Sequence, residues 1–271
     1  MKNSNKKKYQ PLSPPQNFSE EEMARDWTLS EADKVEIEKY RKDYRLFVAV
    51  QICSIRLYGR LLVETNDLSP RIINYLNSQL RLPPTLSVKA PGRKATYLEQ
   101  RKSIMAYLGF RKFDDESQNR LEDWLYNHAL KGELPTDLNH RAEAFLLSEK
   151  VIIPGTSTIE RLVAGVCTSV HEKTFESVYS KLTPDLKNSI DQLLLVPPGE
   201  QRSYFHKLKE YPPSAKISSL REYLDRYKTL MGTGIDSLEG SFIDPAFLDY
   251  LFKTAKTYSS KHLKRFNEHK R

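Results

Sequence analysis

The stretch over residues 137–171, DLNHRAEAFLLSEKVIIPGTSTIERLVAGVCTSVH, constrains the fold more than any other part of the chain. Leu138, Ala142, Phe145 and Leu146 recur at helical spacing. Pro154-Gly155 then interrupts the backbone, and Thr156 or Ser157 is placed to cap a second helix. In that helix Ile159, Leu162, Val163, Val166 and Val170 form one apolar stripe, while Ser157, Arg161, Ala164 and Thr168 share the opposite face. A small, polar face with a single long cation can approach a polyanionic groove closely, where bulky side chains would hold it off. The pattern predicts a helix-turn-helix with residues 157–171 as the inserting helix. Paired helices of this shape also occur in proteins of unrelated function, so the motif alone does not fix a role.

The rest of the chain reads the same way. From residue 18 onward, strict alternation of apolar and polar residues is scarce and helix boundaries are frequent, which predicts an all-α fold. Ser30 and Asp33 resemble a capping box opening a run through Tyr40, Tyr44, Phe47, Val48, Ile52, Ile55 and Leu62, with a break expected near Gly59. Ser69-Pro70 starts a short helix that turns Ile72, Ile73, Leu76 and Leu80 inward and Arg71, Asn74, Asn77 and Ser78 outward, and Pro83-Pro84 ends it. A basic loop around Pro91-Gly92, a helix over 96–108 and another capped by Asp114 follow. Pro135 marks an expected boundary. Residues 1–17 are polar, Lys-rich and Pro-rich and predict a flexible basic arm. The expected organisation is therefore an arm over 1–17 and two tandem helical domains with helix-turn-helix-like units, 18–134 and 135–271. The last helix, from Asp244-Pro245, carries Phe247, Leu248, Leu251, Phe252, Leu263 and Phe266, which ask for a partner, as in a segment of a longer protein.

Charge narrows the function classes. Lys and Arg number 43 against 35 Asp and Glu, a net charge of +8, and the excess is banded. Residues 89–112 hold seven bases against one acid, residues 253–271 again seven against one, and residues 19–38 eight acids against two bases. Banded positive charge beside a helix-turn-helix favours a nucleic-acid partner. The two cysteines, Cys53 and Cys167, fall in apolar helical patterns and form neither a zinc spacing nor a disulfide framework, which suits a reducing cytoplasm. No apolar run approaches the roughly 20 residues that span a bilayer, so no membrane partner is expected. There is no phosphate loop, dinucleotide fingerprint, HExxH pair or GxSxG elbow. Asp114-Asp115-Glu116 suits a helix start rather than a metal. The residues by themselves support neither an enzyme nor a cofactor or metal site.

Several segments together resemble the N-terminal region of the Tn-three family of bacterial transposases. FVAVQICSIRLYGRLL (47–62) is similar to the family's "AVQLCTLRYLGRFL" helix, INYLNSQLRL (73–82) to "YLAxQLGL", and MAYLGFRKF (105–113) to "LGFRxF", with Trp124-Leu125 following. PGTSTIERLV (154–163) matches "PGxTTLERLV" almost position for position, and LREYLDRYKTLMGTGID (220–236) resembles a later part. The resemblance implies helical domains that bind double-stranded DNA at the terminal inverted repeats of a transposon. In the family, catalysis belongs to a downstream RNase H-like domain with three acidic residues and divalent metals, so strand transfer is not expected of this chain. Such a protein would work in the bacterial cytoplasm, associated with the nucleoid. As a regulatory fragment it would meet full-length transposase or another copy of itself, and a helical protein-interaction scaffold is the main alternative.

The expected DNA contacts follow from these readings. Ser157, Thr158 and Arg161 approach base edges, with Arg161 preferring guanine, and Thr156 with the free N–H groups of the helix start holds a phosphate. Arg71, Asn74 and Asn77 form a second reading face. Arg93, Lys94, Arg101, Arg111 and Lys112 contact phosphates, which position the protein rather than specify sequence.

Overall fold

In the computed structural model the described residues are 19–62, 68–83, 87–211, 214–237 and 243–266. The expected arm at 1–17, Pro84 and Pro212-Pro213 lie outside them. Among the described residues the chain is all-α: thirteen α-helices, one 3-10 turn and no strand beyond a single parallel bridge between Arg111 and Val151. In chain order the helices are α1 Glu20–Trp27, α2 Glu31–Glu38, α3 Lys42–Tyr58, α4 Pro70–Gln79, α5 Lys94–Leu108, α6 Asp115–Ala129 and α7 Pro135–Ser148. They continue with α8 Thr156–Lys181, α9 Pro184–Leu193, α10 Tyr204–Leu208, α11 Ile217–Met231, α12 Pro245–Ala255 and α13 Ser260–Leu263.

Local chemistry accounts for most of these boundaries. Ser19 with Glu22 and Ser30 with Asp33 form complete capping boxes at the starts of α1 and α2. Thr183, Ser203, Asp244 and Ser259 cap α9, α10, α12 and α13. Gly59 ends α3 in the left-handed region, at φ 60°. The expected single run from Ser30 to Gly59 is two helices. The break at 39–41 is held by Arg45, whose Nε and Nη2 donate to the carbonyls of Tyr40 (3.2 Å) and Glu38 (3.0 Å).

The chain packs as two units. The first comprises the described residues within Met1–Leu125 and Pro135–Val163; the second comprises those within Tyr126–Leu134 and Ala164–Arg271. Packing therefore interleaves the chain, where the sequence reading placed one break between 134 and 135.

In the first unit α3 is central. Residues from Leu46 to Ile55 along it are buried, and it packs on α2, α4, α5 and α1. Met23, Trp27, Ile37, Ile72, Leu76, Ile104 and Met105 complete this core. Asp33 ties three helices together: its Oδ1 accepts from Arg56 Nη2 (2.6 Å) and Tyr107 Oη (2.8 Å). Burial pushes the Asp33 carboxyl up, but hydrogen bonds from Arg56, Ser30 and Tyr107 outweigh this and hold it below its ordinary value. Cys53 is buried, and burial pushes its thiol up to about 12, so it stays protonated and inert.

The second unit is more lightly packed. His171 of α8 lies among Phe175, Phe247 and Tyr250, with ring centroids 6.1, 5.4 and 5.5 Å away. Burial lowers its pKa. Arg226 of α11 donates to the carbonyls of Lys207 (2.7 Å) and Glu210 (3.2 Å). The apolar stripe of α11 does not face a core. Leu220, Tyr223, Leu224 and Tyr227 are 59%, 45%, 49% and 57% exposed. No described helix is long and apolar enough to cross a membrane.

Candidate nucleic-acid interface

Two helices and a turn form where the sequence placed them, α7, residues 149–155 and the start of α8, but α8 begins at Thr156, with Gly155 rather than Thr156 or Ser157 at the capping position, and runs on to Lys181, past the expected end at 171. Leu138, Ala142 and Leu146 of α7, then Ile159, Leu162 and Val163 of α8, are buried. Ser157 and Arg161 are exposed, and Thr156 and Thr158 half-exposed. Gly155 accepts the Thr158 N–H at 2.9 Å, which turns the backbone into the helix. Further along α8, in the second unit, Ala164 and Thr168 are also exposed.

The turn has a firm footing on the first core. The Ile153 N–H donates to the Gly59 carbonyl (2.8 Å), and Arg60 Nη1 donates to the Pro154 carbonyl (2.9 Å). Arg60 Nη2 pairs with the fully buried Glu143 carboxylate of α7. Gly59 takes a φ of 60°, which favours glycine, and a Cβ there would come within 2.9 Å of Ile153 Cδ1, so that side chain would have to shift. Beside it, Arg111 N–H donates to Lys150 O and Ile152 N–H to Arg111 O, both at 2.9 Å. Trp124 stacks on Phe145 (5.0 Å), and the Arg141 guanidinium lies over Trp124 (5.4 Å). Together these contacts fix the direction in which residues 156–161 project.

The other expected contact residues fare differently. Arg71 and Asn74 are exposed on α4, but Asn77 is buried, 1% exposed, which removes it from the proposed reading face. At about 100° per residue, Asn77 stands only about 40° from Ile73 and turns away from the stripe of Arg71, Asn74 and Ser78. The Leu82 N–H closes the following turn on the Asn77 carbonyl (2.9 Å). Arg93, Lys94 and Lys112 are exposed. Arg101 is half-buried with its guanidinium 5.4 Å over the Tyr97 ring. Arg111 lies 3.9 Å from Glu116 and 4.0 Å from Glu149, which partly offsets its charge. Every one of these residues belongs to the first unit. The described part of the second basic band, 253–266, belongs to the second, where Lys253 pairs with Asp249 (2.5 Å) and Lys256 lies over Phe252 (4.1 Å).

Asp114 acts as a cap: its Oδ1 accepts the Ser117 N–H (2.9 Å). Among the described residues no three His, Cys, Asp or Glu side chains cluster in a way that could hold a metal ion. A basic groove at the starts of α3 and α5, lined by Lys39, Tyr40, Arg41, Tyr44, Arg93 and Gln100 among others, was not legible in the sequence. Arg93 was expected as a phosphate contact, but Arg41 beside it was hidden, because its place at a helix start vanishes when α2 and α3 are read as one helix.

Residues 4–166 match the family described as Domain of unknown function (DUF4158). The transposase for transposon gamma-delta of Escherichia coli (strain K12) is 28% identical over 255 residues, covering 92% of this chain and 25% of the relative. The transposase for transposon Tn1546 of Enterococcus faecium is 23% identical over 248 residues, 90% of this chain and 25% of its own. That for transposon Tn501 of Pseudomonas aeruginosa is 23% identical over 254 residues, 93% and 26% respectively. The chain thus spans about a quarter of the length of the curated relatives it matches. The resemblance to the N-terminal region of Tn-three transposases holds over about nine-tenths of the chain.

Proposed function

The chain belongs to the DUF4158 family, and from that membership and its likeness to transposases we propose that it binds double-stranded DNA at transposon ends, as the recognition part of a transposition system. The observation that carries the reading is the start of α8: a partly exposed turn of small hydroxylated residues and one exposed arginine, projecting from a footing of one buried ion pair and several backbone hydrogen bonds. Ser157, Thr158 and Arg161 meet base edges. Thr156 and the first N–H groups of α8 hold a backbone phosphate. Arg93, Lys94 and Lys112 supply phosphate contacts, with Arg101 and Arg111 secondary because each already has a partner. Arg71 and Asn74 form a smaller second reading face. Catalysis, if the system performs it through a longer chain, lies outside these residues.

Binding by six to eight phosphates makes log K fall against log salt with a slope of about −5 to −7. Arg161→Ala costs about 1–3 kcal/mol on the cognate end and much less on shuffled duplex. Footprinting of a transposon-end fragment against a shuffled control tests this. Equal losses on both duplexes would reduce Arg161 to a phosphate contact, and a salt-independent response would remove the mechanism.

One observation favours a second reading for the second unit. The exposed apolar stripe of α11 suits a protein-docking role within the same system. Leu220→Lys with Leu224→Lys then leaves DNA affinity unchanged and abolishes protein association.

A further inference from the structure

We propose that the outward face of α11 is the docking site for an acidic amphipathic helix of a partner protein, its apolar side laid in the stripe and its carboxylates along one edge. The acidity of the partner rests on the docking reading of this stripe given above.

Polar contacts, not apolar ones, set α11 into its unit. Ser219 is buried, and its Oγ lies 3.0 Å from Ser214 Oγ. On the same side Arg226 donates to the carbonyls of Lys207 and Glu210, and its own carbonyl accepts from Tyr204 Oη (3.3 Å). At about 100° per residue, the apolar stripe points about 110° away from this anchored side. Ile217, 73% exposed, extends the stripe by a further turn. With Leu220, Tyr223, Leu224 and Tyr227 it leaves on the order of 600 Å² open to water, close to the ~800 Å² that one partner brings to a stable interface. A contiguous patch of that size marks a surface that something covers.

Spacing gives the shape of the occupant. Ile217, Leu220, Leu224, Tyr227 and Met231 fall alternately three and four residues apart, the seam spacing of one helix packed along another. Charge gives its sign. Arg221 and Lys228 are exposed on the edge of the seam opposite the anchored side, about 40–60° from Leu224. Among the described residues Arg221 has no carboxylate partner, and Lys228 has only the exposed Asp225, 4.0 Å away. A helix with carboxylates on its facing edge brings opposite charge to both positions. A second copy of this chain does not. In a two-fold pairing of antiparallel helices the same edge meets itself, so Arg221 and Lys228 face their own kind. A parallel pairing turns that edge onto the side where the other copy's α11 meets its own unit. A lipid surface is best met by cations on both borders of the stripe, and here the other border, beyond Tyr223, runs into the unit at the half-buried Leu230.

The test uses the full chain and two fluorescein-labelled heptad peptides, identical in their leucines at a and d but carrying Glu or Lys at every e and g position. Like charges on its flanks keep each peptide from pairing with itself. Anisotropy at neutral pH shows saturable binding of the Glu peptide to wild type, about tenfold tighter than the Lys peptide, and the margin shrinks as salt is added. Arg221→Glu with Lys228→Glu reverses the preference. Leu220→Asn with Leu224→Asn, which changes no charge, removes binding of the Glu peptide. All four positions are exposed, so neither variant disturbs the fold. No saturable binding of the Glu peptide, or equal binding of both peptides, refutes the acidic partner. So does a loss of duplex affinity in the charge-reversed variant, which makes Arg221 and Lys228 phosphate contacts. Binding of anionic lipid vesicles that the asparagine variant removes also refutes it, and with it the docking reading. Self-association in sedimentation that the asparagine variant removes keeps the docking reading but puts a second copy in place of the acidic helix.

Discussion

Replacing Asp33 by alanine tests how the first unit is held together. Its carboxylate is 1% exposed and accepts from the Ser30 N–H (2.8 Å), Arg56 (2.6 Å) and Tyr107 (2.8 Å), so it serves α2, α3 and α5 at once. The capping contact contributes about 1 kcal/mol. Each hydrogen bond to an ionised acceptor contributes about 1.5–3 kcal/mol. Arg56 is 39% exposed and recovers part of its share by rehydrating when its partner is removed. The expected loss for Asp33→Ala is therefore about 3–4 kcal/mol, with about half that for Asp33→Asn, which keeps the shape and one acceptor. Both tryptophans, Trp27 and Trp124, belong to the first unit, so urea unfolding followed by their fluorescence reports on that unit alone. The pH dependence gives a second check. The folded pKa of Asp33 lies below its unfolded value of about 3.9, so the stabilisation is complete above that value and disappears as pH falls through the folded one. The gap between wild type and variant should close on acidification. A deficit under about 0.5 kcal/mol at neutral pH, or one that stays constant into acid, would refute the reasoning.

Gly59→Ala places a Cβ 2.9 Å from Ile153 Cδ1 at a backbone φ of 60°, so it should cost more than about 1 kcal/mol. Ile153→Val should relieve part of that loss, which a double-mutant cycle in thermal melts measures. His171 titrates below about 6.5 because it is buried, so its contribution to the second unit is complete above that pH and is lost as pH falls through the folded value. Imidazole proton shifts give the pKa directly, and His171→Phe should flatten the acid-side loss of stability in that unit.

Periodicity and capping carried much of the fold. The Ser30–Asp33 box, Gly59, Asp114 and the stripe from Ile159 to Val163 all act locally, within one or two turns, and local chemistry is what a single sequence displays. The break at 39–41 was hidden because Tyr40, Tyr44 and Phe47 keep helical spacing across it, while the side chain that holds the Glu38 and Tyr40 carbonyls, Arg45, lies beyond it in α3. Asn77 was misplaced because polarity suggested an outward face, whereas its angular position set it beside Ile73. The spacing of Leu220, Tyr223, Leu224 and Tyr227 is helical, as α11 is, but a stripe does not say whether anything covers it. At the candidate interface, the outward projection of Ser157 and Arg161 was legible. Arg60, which holds the turn from a distant part of the chain, was not, because nothing in the spacing of residues 60 and 143 announces an ion pair.

That pair has a temporal consequence. Arg60 reaches Pro154 across 94 positions and Glu143 across 83, while the buried residues of the core around Trp27, Phe47 and Ile104 come from the earlier part of the chain, with Ile152 packed against them from later. Closing so long a loop adds little to the equilibrium cost, since each doubling of length adds about 0.6 kcal/mol. It bears instead on rate, because distant partners must find each other before the contact gives anything back. As a growing polypeptide leaves the ribosome, α1 to α5 settle first, and the start of α8 acquires its heading only when the later segment swings back onto residues 59 and 60.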